Sequence, residues 1–296
     1  MSNKNIHYQK NKLIDKIVTA VLYVIVFFIF TLLAALIIYI LYKGISSFKP
    51  EYIGFGTNGL GVQLFNTVYL VFLTLLLSVP LGVASGIYLA EYAKDNIFTG
   101  IIRTCIETLS SLPSIVVGLF GFLVFVLLTH WSWTIMGGVL TLSALSIPLV
   151  TRVTEDAIRE VPQSYRESSY ALGSTKWQAI VNILLPSASS RILTGIILAA
   201  GRGFGEAAAL MFTAGMSSDI SFSNWNPLSH TSPLNIFRPA DTLAVRIWYL
   251  KTSAIFDDKF LVANMAAATL IILVLVFNIS SRLVGRALEK KMLGTK

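Results

Sequence analysis

Glu167-Ser-Ser-Tyr-Ala-Leu-Gly173, followed after nine residues by Ile183-Leu-Leu185-Pro186, is a polar segment set between two long apolar runs. Its local signals describe a helical hairpin. Ser164 and Glu167 have the spacing of a capping box, in which a hydroxyl and a carboxylate satisfy backbone N–H groups that the first helical turn leaves over. Gly173 suits the left-handed residue that closes a short helix, and Ser174 then stands where it would cap a second one. That second helix would carry Trp177, Ile180 and Leu184 on one face and end at Pro186.

The surroundings of this hairpin belong to a bilayer. Only 13% of the 296 residues are charged, 55% are hydrophobic and the mean hydropathy is +0.72. Such a composition is hard to keep in water at this length. No Asp, Glu, Lys or Arg occurs from Ile17 to Tyr42, and roughly 20 apolar residues suffice for a crossing. The run is too long for the core of a signal peptide, and no convincing cleavage site follows it, so it reads as an uncleaved anchor. Further spans are expected at about 64–89, 110–129, 133–152, 192–215 and 260–281, with a turn at His130-Trp-Ser-Trp133 between the third and fourth. The fold class is therefore all-α integral membrane with six transmembrane helices. Pro80, Pro113 and Pro148 fall in or near spans, where neighbouring helices can satisfy the carbonyls they free.

Basic residues set the expected orientation. With both termini in the cytoplasm, sixteen Lys and Arg lie inside, among them Lys4, Lys10, Lys12, Lys16, Arg166, Lys176, Arg282, Arg286, Lys290, Lys291 and Lys296. Six lie outside: Lys43, Lys49, Arg238, Arg246, Lys251 and Lys259. The net charge of +8 is then a topology signal and gives no reason to expect nucleic-acid binding. Arg202 stands apart, about 16 Å of helix beyond Arg191 and so near the middle of the bilayer. A charge there costs about 2.5–3.5 kcal/mol on the most lenient scale, and Glu206, at i+4, is the expected compensation. Gly201 and Gly205 would form a small-residue strip for a neighbouring helix. The Arg202 and Glu206 pair reads as a packing device, a gate lining the pathway, or a direct substrate contact.

The spacing E-A-A-x3-G-x9-I-x-L-P, carried here by Glu167, Ser168, Ser169, Gly173, Ile183, Leu185 and Pro186, resembles the loop by which membrane subunits of ATP-binding-cassette importers enter a groove on their ATPase. Ser168 and Ser169 replace the alanines usual in that loop. From about residue 62 onward the chain is similar to the PstA family of phosphate permeases. The similarity rests on Leu112-Pro-Ser-Ile-Val-Val-Gly-Leu-Phe120, Arg202 to Ala214, and Asp241-Thr-Leu-Ala-Val-Arg-Ile-Trp248. Ala207 and Ala209 depart from that family's threonine and proline.

This resemblance implies a type I ABC importer transmembrane domain over 62–283, with a coupling hairpin at 164–186. It follows a cytoplasmic tail (1–16) and a first helix with its external loop (17–61), and precedes a cytoplasmic tail (284–296). It also implies a bacterial plasma (inner) membrane location and alternating access driven by ATP. The implied partners are a second permease (PstC), an ATPase dimer (PstB) that holds the ATP and Mg, and an extracytoplasmic phosphate-binding protein (PstS). No cofactor is expected on this chain. It contains no G-x-x-x-x-G-K-[ST] phosphate loop, and His7, His130, His230 and Cys105 make no metal-binding or catalytic motif, so an enzyme is not expected. The sister permease PstC, an ATP-independent transporter or channel, and a sensing scaffold are the alternatives. The external segment at about 216–259 reads as a solvated connector or as a surface for the binding protein.

Overall fold

A computed structural model describes residues 2–293 apart from 53, 56–58, 219 and 253–258, and the regular elements among them are all helical. Among the described residues, five helices are long and apolar enough to cross a membrane, over 14–46, 61–92, 135–159, 176–205 and 260–287. A sixth crossing is bent. Ile97–Ser111 and Ser114–Leu128 meet at 99°, so the span expected at 110–129 begins only after a corner. Pro113 accounts for the corner, because a residue before proline is pushed out of the helical region and Leu112 is extended with ψ 138°.

The first helix, α1 (Ser2–Ser46), continues through the expected N-terminal tail, and no residue in its most apolar stretch is buried. Tyr23 and Phe27 are each 72% exposed, a surface that would aggregate in water but suits acyl chains. The side chains of Lys4, Lys10, Lys259, Lys290, Lys291 and Lys296 lie outside the described residues.

The core forms where α2 (Gly61–Ile87) lies along the fourth crossing. We number the corner helices α3 (Ile97–Ser111) and α4 (Ser114–Gly121), and that crossing α5 (Ile135–Arg159). Gly82 and Gly86, one helical turn apart, allow the approach: a Cβ at Gly82 would lie 2.7 Å from Val150 Cβ, and one at Gly86 2.5 Å from Thr154 Cβ and 2.7 Å from the Thr151 carbonyl. Leu70, Ile135, Val139, Leu142 and Leu145 fill the seam beside them. Gly86→Leu would drive a side chain into backbone that cannot yield, and a loss of about 3 kcal/mol is expected. A melting curve of the detergent-purified protein tests this, and a Tm equal to that of the unaltered protein would contradict the packing.

The hairpin consists of α6 (Gln163–Ala171) and α7 (Lys176–Ala179). From α7 the chain passes without a break, through a π-turn at Ile180–Leu184, into α8 (Leu185–Gly205). Pro186 therefore does not end the second hairpin helix. It lies inside that continuous helix, just past the π-turn, in the first turn of α8. The span expected at 192–215 is the far part of a helix that starts already at Lys176, breaks at Glu206 and restarts as α9 (Ala208–Thr213). Two half-length helices, α4 and α9, then pack backbone to backbone, with a Gly118 Cβ placed only 2.6 Å from Ala209 Cα. After α9, the segment 215–242 leads into α10 (Leu243–Thr252), and α11 (Lys259–Leu293) completes the bundle.

Candidate functional site

At the hairpin tip, α6 closes by a complete Schellman motif. Gly173 N–H donates to the Tyr170 carbonyl (2.9 Å), Ser174 N–H donates to the Ser169 carbonyl (3.2 Å), and Gly173 takes φ +80°. The next helix starts with a capping box formed by Thr175 and Gln178. The expected box at Ser164 and Glu167 is absent, because α6 begins just after Pro162 and puts Ser164 inside the first turn. Glu167 Oε1 accepts instead from Gln163 Nε2 (2.9 Å), and Ser174 Oγ bonds to the carbonyl and hydroxyl of Ser169 rather than capping. Glu167, Ser168 and Gly173 are exposed, Ser169 is buried, and Ile183, Leu185 and Pro186 are half-buried. Trp177 does not share the buried face of Ile180 and Leu184 but is 59% exposed, as are Leu172 (89%) on the turn and Tyr165 (52%) at the start of α6. The tip thus presents large apolar groups on a backbone locked by its own hydrogen bonds.

The base of the hairpin is clamped to a residue that sequence reading passed over. Arg166 donates through Nε to Glu91 Oε1 (2.9 Å) and through its terminal nitrogens to the Val161 and Ile158 carbonyls (2.7 Å each). Lys176 bonds to the Glu91 carbonyl and stacks over the Tyr92 ring, 4.8 Å from its centroid. Glu91 and Tyr92 belong to the π-turn Tyr88–Tyr92 that ends the second crossing. Nearby, Glu155 receives Arg103 (2.8 Å) and Arg159 (3.1 Å), tying α3 to α5.

Arg202 and Glu206 are not brought together as expected. The helix ends between them, with Glu206 extended at ψ 118°, so the i, i+4 geometry does not apply. Glu206 is buried and its Oε1 accepts the Ala209 N–H (3.1 Å), serving the first turn of α9. No ion pair within 4 Å joins it to Arg202 among the described residues. Among the described residues, Gly201 and Gly205 receive no neighbouring helix, and nothing lies within 4 Å of a Cβ placed on either. Half-buried Arg202 therefore sits beside an open glycine strip, at the level where the fifth crossing breaks.

On the side away from the hairpin, α2 is tied to the segment before α10. Asn66 Nδ2 donates to Ser218 Oγ (2.8 Å) and the Asp241 carbonyl (3.0 Å), while its Oδ1 accepts from Arg238 (2.8 Å). Gln63 donates to the Asp241 carboxylate (3.0 Å), and Thr67 Oγ1 accepts the Leu243 N–H (2.9 Å). Burial lowers the Arg238 pKa to about 10, against the pull of Tyr69 and Asp241, so it remains charged at neutral pH. Burial also raises the Asp241 carboxyl above its usual range, opposed by the bonds from Ser218 and Gln63.

Two things now stand together: a helical membrane bundle with broken third and fifth crossings, and a rigid polar hairpin with an apolar tip. The sequence model for the binding-protein-dependent transport system inner membrane component matches residues 78–294. The chain belongs to this family. Its relatives include the "Probable ABC transporter permease protein YqgI" of Bacillus subtilis (strain 168), 48% identical over 95% of this chain and 98% of that protein. The phosphate transport system permease protein PstA of Haemophilus influenzae is 33% identical over 95% of this chain and 97% of its own length, and that of Xylella fastidiosa (strain 9a5c) is 34% identical over 76% and 74%.

Among solved structures, the inward-facing MetNI methionine ABC transporter matches with a TM-score of 0.55 at 18% identity, covering 81% of this chain and 99% of that one. A bacterial importer of the polysaccharide alginate gives 0.53 at 17%, covering 86% and 95%. These likenesses confirm the fold expected from sequence, that of an ABC importer transmembrane subunit. The permease is a multi-pass inner-membrane protein and a transport subunit. Its family implies an ATPase, a binding protein and a second permease as partners.

Proposed function

We propose that this permease imports inorganic phosphate, as a PstA-type subunit beside a PstC-type permease, a PstB-type ATPase dimer and a PstS-type binding protein. The substrate is supported by the relatives of near-full coverage that carry the phosphate permease name, and by the resemblance of the loop and span motifs to that family. The observation that carries the mechanism is the hairpin tip. Leu172 and Trp177 are exposed on a locked scaffold and take no part in the buried core, and a groove on the ATPase is the occupant proposed. Glu167, Ser168, Ser169, Gly173, Ile183, Leu185 and Pro186 form that loop, over 164–186 within a permease domain at 62–283. ATP and Mg belong to the ATPase, since this sequence holds no phosphate loop, and the energy is needed because moving an anion into a negative interior costs about 2.3 kcal/mol per charge per 100 mV. Arg202 lines the path, beside the break in the fifth crossing.

In this reading the hairpin and both termini face the cytoplasm, as the distribution of Lys and Arg favours. With Cys105 replaced by serine, a cysteine at Ser229 is expected to react with an impermeant thiol reagent added outside intact cells, and one at Ser174 is not. The reverse pattern would invert the topology. Leu172→Cys in the same background is expected to form a cross-link to the ATPase in native membranes. Vesicles holding the four-component complex are expected to accumulate phosphate, with neither sulfate nor methionine competing. Absence of the cross-link would remove the docking role, and uptake of another solute in place of phosphate would overturn the substrate.

A further inference from the structure

The clamps at the two ends of the second crossing share a consequence. This crossing, 61–92, comprises 32 residues, about 48 Å of continuous helix, and is held by polar groups at both extremities and by glycine contacts with α5 between them. At the hairpin end, both arms converge on one residue: Arg166 from α6 grips the Glu91 carboxylate and Lys176 from α7 grips its carbonyl. The side chains of Glu91 and Arg166 are only 6% and 18% exposed. Separating such a desolvated pair leaves a charge uncompensated, so hairpin and helix end move together.

At the other end, Gln63, Asn66 and Thr67 lie within about one turn and face the segment 218–243, each bonded to it. Asn66 is fully buried and uses both donor and acceptor atoms, so this end too has one register. Apolar contacts alone can slide past one another; these directional bonds cannot.

We propose that the second crossing is a tie rod carrying hairpin movement to the opposite face, with Glu91 and Asn66 as positioning residues at its two joints. The proposal rests on the docking role given to the hairpin above. Displacement of the hairpin by the ATPase pulls the π-turn through Glu91. The rod then shifts the segment around Ser218, Arg238 and Asp241, which closes or opens the outer side of the path.

A serial link makes a distinctive prediction. In vesicles holding the four-component complex, phosphate accumulated per ATP hydrolysed is measured for Glu91→Gln, Asn66→Ala and the double variant. Each single change is expected to lower the ratio about tenfold, the equivalent of one charge-assisted hydrogen bond. The double variant is expected to fall no further than the worse single, because a rod cut once is already cut. Losses that multiply would mean two independent structural sites, and an unchanged ratio would mean no link; either overturns the proposal. The Leu172→Cys cross-link, run on the same vesicles, keeps the two ideas apart. A retained cross-link with an unchanged ratio rejects the rod alone, whereas no cross-link in the otherwise unaltered permease rejects the docking role. Should either single variant not assemble, Lys176→Met and Thr67→Val interrupt the same two joints more gently and are held to the same outcomes.

Discussion

Gly173→Val is expected to lower phosphate uptake roughly tenfold while the protein still inserts and folds. Space is not the reason, because none of the described residues lies within 4 Å of a Cβ at this position. The reason is φ +80°, a conformation that costs an L residue about 1–2 kcal/mol, and more for a β-branched one. Relaxing that strain opens the Schellman closure, and the Gly173 to Tyr170 and Ser174 to Ser169 bonds that aim Leu172 and Trp177 are lost with it. About 1.4 kcal/mol of lost docking energy is a factor of ten in association. Asparagine visits the left-handed region more readily, so the expected order of ATPase co-sedimentation and uptake is glycine, asparagine, alanine, valine. A valine variant that couples as well as the unaltered permease would show that this turn does not aim the tip.

What could be read from sequence follows from what is local. The long apolar runs gave the crossings, because a bilayer demands unbroken hydrophobic length, and Gly173 stood out because a helix end needs a left-handed residue. The third crossing falls where its apolar run places it, but the corner that Pro113 makes with Leu112, and the helix Ile97–Ser111 before it, carry no such signal, because a proline at a span's edge is equally compatible with a tolerated kink. Pro186 was read as a stop because sequence does not reveal the π-turn that leads the helix into it. The Arg202 to Glu206 pairing assumed a helix through three alternate glycines, each costing about 1 kcal/mol relative to alanine, and the helix in fact ends at the third. Glu91 and Asn66 were missed because their partners, Arg166 and Arg238, are distant in the chain and no local pattern announces them. A lone carboxylate closing an uncharged stretch was the available signal for Glu91.

Arg202→Gln alone is expected to leave assembly intact and to cut uptake about 30- to 100-fold. Had the two charges neutralised each other, the single change would strand a buried carboxylate and the double change to glutamine would rescue it. The structure separates them: Glu206 serves the Ala209 N–H, and Arg202 is half-buried between two glycines, Gly201 and Gly205, whose Cβ positions meet none of the described residues. Glu206→Gln keeps an acceptor oxygen for α9 and should be mild, whereas Glu206→Ala loses a cap worth about 1 kcal/mol. Stability losses at the two positions should then add, with no rescue in the double variant. A charge held in the bilayer at a cost of about 2.5–3.5 kcal/mol needs a use, and an anion passing the broken fifth crossing supplies one. Losing a hydrogen bond from a charged group, about 2–2.8 kcal/mol, sets the expected fall in rate. Arg202→Lys, which keeps the charge but not the planar fork, should recover part of it. A double variant more stable than Arg202→Gln would mean that the two residues do pair in the bilayer, and undiminished uptake by Arg202→Gln would remove Arg202 from the path.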